Sequence, residues 1–141
     1  MIYNSLNYRI PIGDTDAMGI VYYANYLRYF EMGRNAFIRD TFRSYRDIEA
    51  AGVSMPVASV EVKYIKPGRF EDLLEIRTFI KELPCVKLYV YTEIYNQDNE
   101  LVCKGKTKLA IIDKERQRPQ KAPQDMVNAL KGHLYPSCTA S

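Results

Sequence analysis

The chain has one histidine, three cysteines and no long hydrophobic run, and each scarcity removes a class of protein. A structural zinc site takes about four thiolate or imidazole ligands. His133 stands alone near the C-terminus and Cys85, Cys103 and Cys138 are far apart, so no metal is expected. An odd cysteine count without short paired spacings fits a reducing compartment better than a disulfide framework. No segment approaches the roughly 20 apolar residues that span a bilayer. Met1-Ile2-Tyr3-Asn4-Ser5 lacks the basic start and apolar stretch of a secretion signal, so the expected location is cytoplasmic, with no membrane partner. Excess charge is scarce as well: 20 Lys and Arg against 17 Asp and Glu leave +3, with both signs interleaved. Nucleic-acid binders concentrate positive charge in a patch or stripe, and no nucleic-acid partner is expected.

What is present suits one domain of 141 residues, taken as residues 1–141, with 137–141 as a frayed tail. Residues 6–12, LNYRIPI, predict a strand limited by Pro11. GDTDAMG follows as a turn, because Gly13, Asp14, Asp16 and Gly19 suit tight backbone geometry. From Ala24 to Arg39, Tyr26, Tyr29, Phe30, Gly33 and Phe37 share one face at helical period and Arg28, Asn35 and Arg39 the other, which predicts the main helix. Residues 44–52 predict a shorter helix closed by Gly52. After Pro56 the period changes to alternation, predicting strands over 57–66, 73–82, 85–96 and 101–112, with Asn96-Gln97-Asp98-Asn99 as a hairpin connection. A last short helix is expected over Asp125–Gly132. Such a sheet needs its apolar face covered, and the long helix is the only element of comparable length. The expected class is α+β, an antiparallel sheet wrapped around one helix.

Residues 14–31, DTDAMGIVYYANYLRYFE, raise a sharper question: are the two aspartates only turn formers, or does one act beside the helix start that follows? This stretch resembles the active-site segment of the hotdog-fold acyl-CoA thioesterases, specifically the 4-hydroxybenzoyl-CoA thioesterase-like family. The likeness continues through residues 63–76, KYIKPGRFEDLLEI, so that two separated motifs occur in the family's order. With the element order it covers about residues 6–113. The resemblance implies a hotdog fold and hydrolysis of an acyl-CoA thioester to a free acid and coenzyme A.

It also implies roles. Asp16, the second aspartate of DTD, matches the family's catalytic carboxylate, either attacking the thioester carbonyl or activating a water. Negative charge then develops on the carbonyl oxygen and requires donors. By the resemblance, the backbone N–H of Tyr23 supplies one, at a helix start where such groups are unsatisfied. Some relatives carry histidine at this position; tyrosine moves the likeness toward the aromatic-acyl branch. Asp14 is expected to form the turn. Gly19 is expected to permit close backbone approach and Tyr22 to be a core or pocket-wall residue, and Asn25 fits the YANY form of the motif. Glu31 is expected to pair with Arg34 or Asn35 on the helix.

Coenzyme A carries phosphates at one end and a flexible thiol arm at the other, so exposed basic residues should flank a slot leading to Asp16. Lys63, Lys66 and Arg69 are the candidates within KYIKPGR, with Lys81 and Lys87 at neighbouring strand ends. Ser59 is expected near the substrate or at a subunit seam. The resemblance implies at least a homodimer and, as two dimers, a homotetramer, with no cofactor. Several substrates stay open: aliphatic acyl-CoA, 1,4-dihydroxy-2-naphthoyl-CoA or another aromatic acyl-CoA, and thioesters of acyl carrier protein. A noncatalytic hotdog scaffold is the alternative of a different class, and Asp16 beside GIVYYANY argues against it.

Overall fold

The computed structural model describes residues 3–135; the tail expected at 137–141 lies outside them. Strand β1 (Asn4–Arg9) leads through a single 3-10 turn at Ile12–Asp14 into α1 (Asn25–Thr41) and α2 (Tyr45–Ala50). Strands β2 (Val53–Ser54), β3 (Val57–Tyr64), β4 (Leu73–Phe79), β5 (Lys87–Tyr95) and β6 (Leu101–Ala110) follow. Two short strands, β7 (Ile112–Asp113) and β8 (Arg118–Pro119), precede α3 (Gln124–Leu130).

The main sheet is antiparallel in the order β1-β4-β5-β6-β3. Alternation along β5 is regular: Leu88, Val90, Thr92 and Ile94 are buried, while Tyr89, Tyr91, Glu93 and Tyr95 between them face the other side. α1 covers the apolar face. Its buried residues include Tyr26, Tyr29, Phe30, Gly33 and Phe37, the stripe expected from the sequence. The helix lies close on β4, because a side chain at Gly33 would run into Thr78 and Ile76. One apolar cluster gathers Ile10, Val21, Tyr26, Phe30, Leu74 and Ile94 near the start of α1, and another gathers Phe37, Ile48, Val90, Leu109 and Met126 toward its end.

Local chemistry sets the boundaries. Ser44 caps α2 by accepting the Asp47 N–H at 3.2 Å, and Gly52, at φ +93°, follows its end as expected. In the β5–β6 hairpin the Asn96 side chain accepts the N–H groups of Asp98 and Glu100, and Asn99 takes φ +61°. Several expected ranges need correction. β1 starts at Asn4 and stops at Arg9, ahead of Pro11. β4 ends at Phe79, because Ile80 turns to bridge Leu134. The strand expected over 101–112 breaks at Ile111, whose N–H bonds to Val86, and resumes as β7. β7 joins β2 and β8 in a three-stranded sheet, too short in each segment to show a period in the sequence.

Candidate active site

DTDAMGIVYY folds back on itself. The Asp16 N–H donates to Ile20 O at 2.8 Å, the Tyr22 N–H donates to Asp14 O at 2.9 Å, and Thr15 bridges Val21. Gly19, at φ +80°, closes the turn by donating its N–H to Asp16 O at 3.0 Å. The far arm of this hairpin meets the second motif: Ile20 bridges Arg69, and the Val21 N–H donates to Gly68 O at 2.8 Å. The Gly68 N–H in turn donates to the Tyr26 hydroxyl at 3.1 Å. Two segments more than 40 positions apart in sequence thus share one backbone network.

Asp14 lies at the floor of the hairpin, only 8% exposed. Its Oδ2 accepts the Tyr8 and Tyr29 hydroxyls, each at 2.8 Å, and Nη2 of Arg28 at 2.7 Å. Burial opposes the charge, but the hydrogen bonds from Tyr29, Tyr8 and Arg28 outweigh it and hold the carboxyl below the usual carboxylate range. Burial and the nearby carboxylate push the Tyr29 hydroxyl up, so it stays protonated as a donor. Asp14 O also accepts Nδ2 of Asn25 at 2.9 Å. Asp14 therefore does more than form a turn: it ties β1, the hairpin and the first turns of α1 together. The expected polar face of α1 hid this role, because Arg28 sits on that face yet swings its guanidinium onto Asp14 and over the Tyr29 ring.

Asp16 lies two residues on, at the rim. It is half-buried, and its Oδ1 accepts the Met18 N–H at 2.8 Å. Its Oδ2 has no partner among the described residues. Past the hairpin, α1 begins at Asn25 after Ala24, whose side chain offers no cap. The N–H groups of Tyr23 and Ala24 have no acceptor among the described residues, as a helix start without a side-chain cap predicts. The Tyr23 carbonyl is held from the other side by the Tyr64 hydroxyl at 3.2 Å and the Tyr26 N–H at 3.3 Å. A carboxylate with a free oxygen thus stands on the first arm of a short hairpin, and a pair of free N–H groups follows the end of its second arm.

One groove borders Tyr23 and a second begins a helical turn further on, at Leu27; Asp16 lines neither. The first, of about 310 Å³, is lined by Ile20, Val21, Tyr23, Tyr26, Tyr64 and the Ile65-Lys66-Pro67 segment. The other, of about 290 Å³, runs between α1 and β3 from Leu27 to Arg34. Tyr22 and Tyr23 are exposed, with ring centroids 5.0 Å apart. Lys66 borders the first groove and pairs with Glu100 at 2.7 Å. Ser59 and Lys63 lie elsewhere. They stand opposite Lys108 and Lys104 across the β3–β6 pair, whereas Tyr64 stands opposite buried Cys103, so they occupy the face of the sheet turned away from α1. Lys81 and Lys106 share that outer face, beside the Tyr91 ring at 4.5 and 5.7 Å.

The architecture, an antiparallel sheet curled around a long helix with the site at the helix start, is a hotdog fold. The chain belongs to the thioesterase-like superfamily, which it matches over residues 10–130. It is 38% identical over 110 residues to the putative acyl-CoA thioesterase YneP of Bacillus subtilis, covering 78% of this chain and 80% of that protein. It is 30% identical over 123 residues to the acyl-CoA thioester hydrolase YbgC of Escherichia coli, covering 87% and 92%. Among solved structures, a DHNA-CoA thioesterase from Staphylococcus aureus superimposes with a TM-score of 0.87 at 27% identity, covering 94% of this chain and 91% of that one.

Proposed function

We propose that this protein hydrolyses an acyl-CoA thioester to a free carboxylic acid and coenzyme A, with Asp16 as the reacting carboxylate. The observation that carries this is a carboxylate of half-buried Asp16 with one oxygen free of partners on one arm of a bonded hairpin, together with two N–H groups without acceptors just past its other arm, among the described residues. The Tyr23 N–H, with that of Ala24 beside it, takes the carbonyl oxygen as it becomes negative. Asp16 either attacks the carbonyl carbon or takes a proton from the water that does. If water attacks, the carbon–sulfur bond breaks and the thiolate leaves with the proton Asp16 took from that water; if Asp16 attacks, the same break leaves a mixed anhydride on Asp16, which a water then hydrolyses to the free acid and the Asp16 carboxylate, its proton going to the thiolate. The names of the relatives YneP and YbgC support the same chemistry.

The groove of Tyr23, Tyr64 and Lys66 suits the pantetheine arm, with Lys66 and Arg69 toward the phosphates. The groove along α1 suits the acyl group. β3 is an edge strand of eight residues, and Val57, Val60 and Tyr64 on it are exposed beside Leu27. A long apolar edge of this kind is ordinarily covered, and a second copy pairing along β3 would cover it and close both grooves. The minimal assembly is therefore a homodimer, and two such dimers would make the tetramer.

The experiment is thiol release from short, long and aromatic acyl-CoA thioesters by the wild type and by Asp16→Asn. Selective release that the variant loses, at unchanged assembly, is the expected result. Equal rates from both proteins would remove Asp16 from the chemistry. No release by folded, assembled wild type from any of these thioesters would redirect the search to carrier-protein thioesters.

A further inference from the structure

Arg34 is 7% exposed, among the most buried charged side chains of the described residues. None of the ion pairs among those residues includes it, and its Nε has no hydrogen-bond partner. The expected pair with Glu31 does not form within 4.0 Å, and Glu31 is exposed at the groove rim. Of the polar groups nearby, the Tyr45 hydroxyl lies within hydrogen-bonding reach of the guanidinium but carries no charge. Glu49, on the next helix, is turned to Lys114 at 3.8 Å. A guanidinium taken out of water without a counter-ion is costly, and removing its charge usually costs a protein nothing. Such a group calls for an occupant.

Its surroundings say which kind. Arg34 lines the groove between α1 and β3 together with Leu27, Phe30, Val57, Val60 and Thr107, so an apolar channel ends beside a buried cation. The near end, at Leu27, is one helical turn past the free Tyr23 and Ala24 N–H groups. Arg34 follows Asn25 by nine positions, ~14 Å along the helix axis, and long helical side chains lean back toward the N-terminus. A thioester carbonyl held at Tyr23 would therefore lie roughly 10 Å from the guanidinium, the span of a medium-length chain.

We infer that Arg34 is a specificity-determining residue that receives a carboxylate at the far end of the acyl group, so that the preferred substrate is the mono-thioester of a medium-chain dicarboxylic acid. This rests on the assignment of the acyl group to the α1–β3 groove. Leu27, Phe30, Val57 and Val60 would hold the methylene chain, and Arg34 would pair with the distal carboxylate through charge-assisted hydrogen bonds. Toward the mouth the groove is lined by Arg28, already paired with Asp14 at 2.7 Å, and by exposed Glu31, so the unpaired cation of the lining is Arg34 among the described residues.

The test compares octanoyl-CoA with the mono-CoA thioester of octanedioic acid, for wild type, Arg34→Met, Arg34→Lys and Asp16→Asn, with melting temperature and oligomeric state measured alongside. The wild type should favour the dicarboxylic substrate roughly tenfold or more in kcat/KM, mainly through KM. Arg34→Met should lose that preference, its kcat/KM falling about tenfold more on the dicarboxylic thioester than on octanoyl-CoA, and its melting temperature should equal or exceed that of the wild type. Arg34→Lys should recover part of the preference. Asp16→Asn should lose both substrates alike. If it does not, the catalytic assignment fails while the Arg34 comparison still stands or falls on the preference. Free octanedioic acid should raise the melting temperature of wild type more than octanoic acid does, and not that of Arg34→Met, a readout independent of turnover. Equal wild-type rates on the two thioesters, an equal loss on both in Arg34→Met, or dissociation or destabilisation of that variant would overturn the inference. The last outcome would make Arg34 a structural or subunit-pairing group.

Discussion

At the floor of the hairpin a carboxylate takes three side-chain donors on one oxygen; two residues further on, at the rim, another takes a single N–H and keeps an oxygen free. Asp14 and Asp16 have the same side chain and sit on the same arm, yet the fold gives them opposite tasks. At the floor, Tyr8 from β1 and Arg28 and Tyr29 from α1 converge, so the charge is fully used in holding elements together. At the rim no side chain among the described residues converges, and one oxygen is left without a partner. The difference teaches that a satisfied carboxylate is an anchor and an unsatisfied one, in an otherwise well-bonded network, is a candidate for chemistry.

Exchanging the tasks is the direct way to break that comparison. The largest effect belongs to the rim. Asp16→Asn should cut kcat by about 100-fold or more while thermal melts stay close to wild type, since the side chain accepts only one backbone bond. At the floor the order reverses. Asp14→Ala leaves Tyr8, Tyr29 and the partly exposed Arg28 without their acceptor and should cost about 3 kcal/mol in denaturant unfolding. The pendant activity loss should be smaller than that of Asp16→Asn in the fraction that remains folded. A floor variant that loses activity at full stability would mean that Asp14 touches the reaction.

Acid should sharpen the same contrast. The folded state holds the Asp14 carboxyl below its ordinary range, so its contribution to stability is fully present above the unfolded value of about 3.9 and disappears as pH falls through the lower folded value. The stability gap between wild type and Asp14→Asn should therefore be constant near neutrality and shrink below about pH 4. A gap that is the same at pH 3 and pH 7 would show that the charge on Asp14 adds nothing. The smallest expected effect is again at the rim. Tyr64→Phe removes the 3.2 Å bond to the Tyr23 carbonyl, which steadies the peptide whose N–H is that of Ala24. A net bond worth about 1 kcal/mol corresponds to a roughly fivefold fall in kcat, with KM nearly unchanged and melting temperature little altered.

Much of this was legible beforehand where the signal is local. The α1 stripe from Tyr26 to Phe37, the Gly52 terminus and the Asn96 turn follow from period and from left-handed backbone preferences, and all stand in the structure. The α+β class and the family also followed, the latter from the two motifs. Asp14 was less legible. Its turn role was expected, but its donors come from residue 8 on one strand and residues 28 and 29 on a helix, and nothing in the spacing announces that three donors meet on one oxygen. Lys63 was a candidate for the coenzyme A phosphates as part of KYIKPGR, and Ser59 for the substrate or a subunit seam by the resemblance. Strand alternation turns them to the outer face, away from Tyr64. Arg34 was read, beside Asn35, as one of two helical partners for Glu31; its burial depends on how α1 packs on the sheet, which the spacing along the helix does not show.

By itself the sequence determined the helices and the long strands to within a few residues, the main turns, and that a carboxylate would stand just ahead of a helix start, because each depends on the conformational preferences of neighbouring residues. Only the tertiary structure decided that β1 pairs with β4 and leaves β3 on the edge, that Asp14 is sealed while Asp16 keeps an oxygen free of partners among the described residues, and that Arg34 ends a groove with no counter-ion among those residues. These depend on groups brought together from distant parts of the chain, where the low exposure that makes a hydrogen bond strong also makes its absence costly.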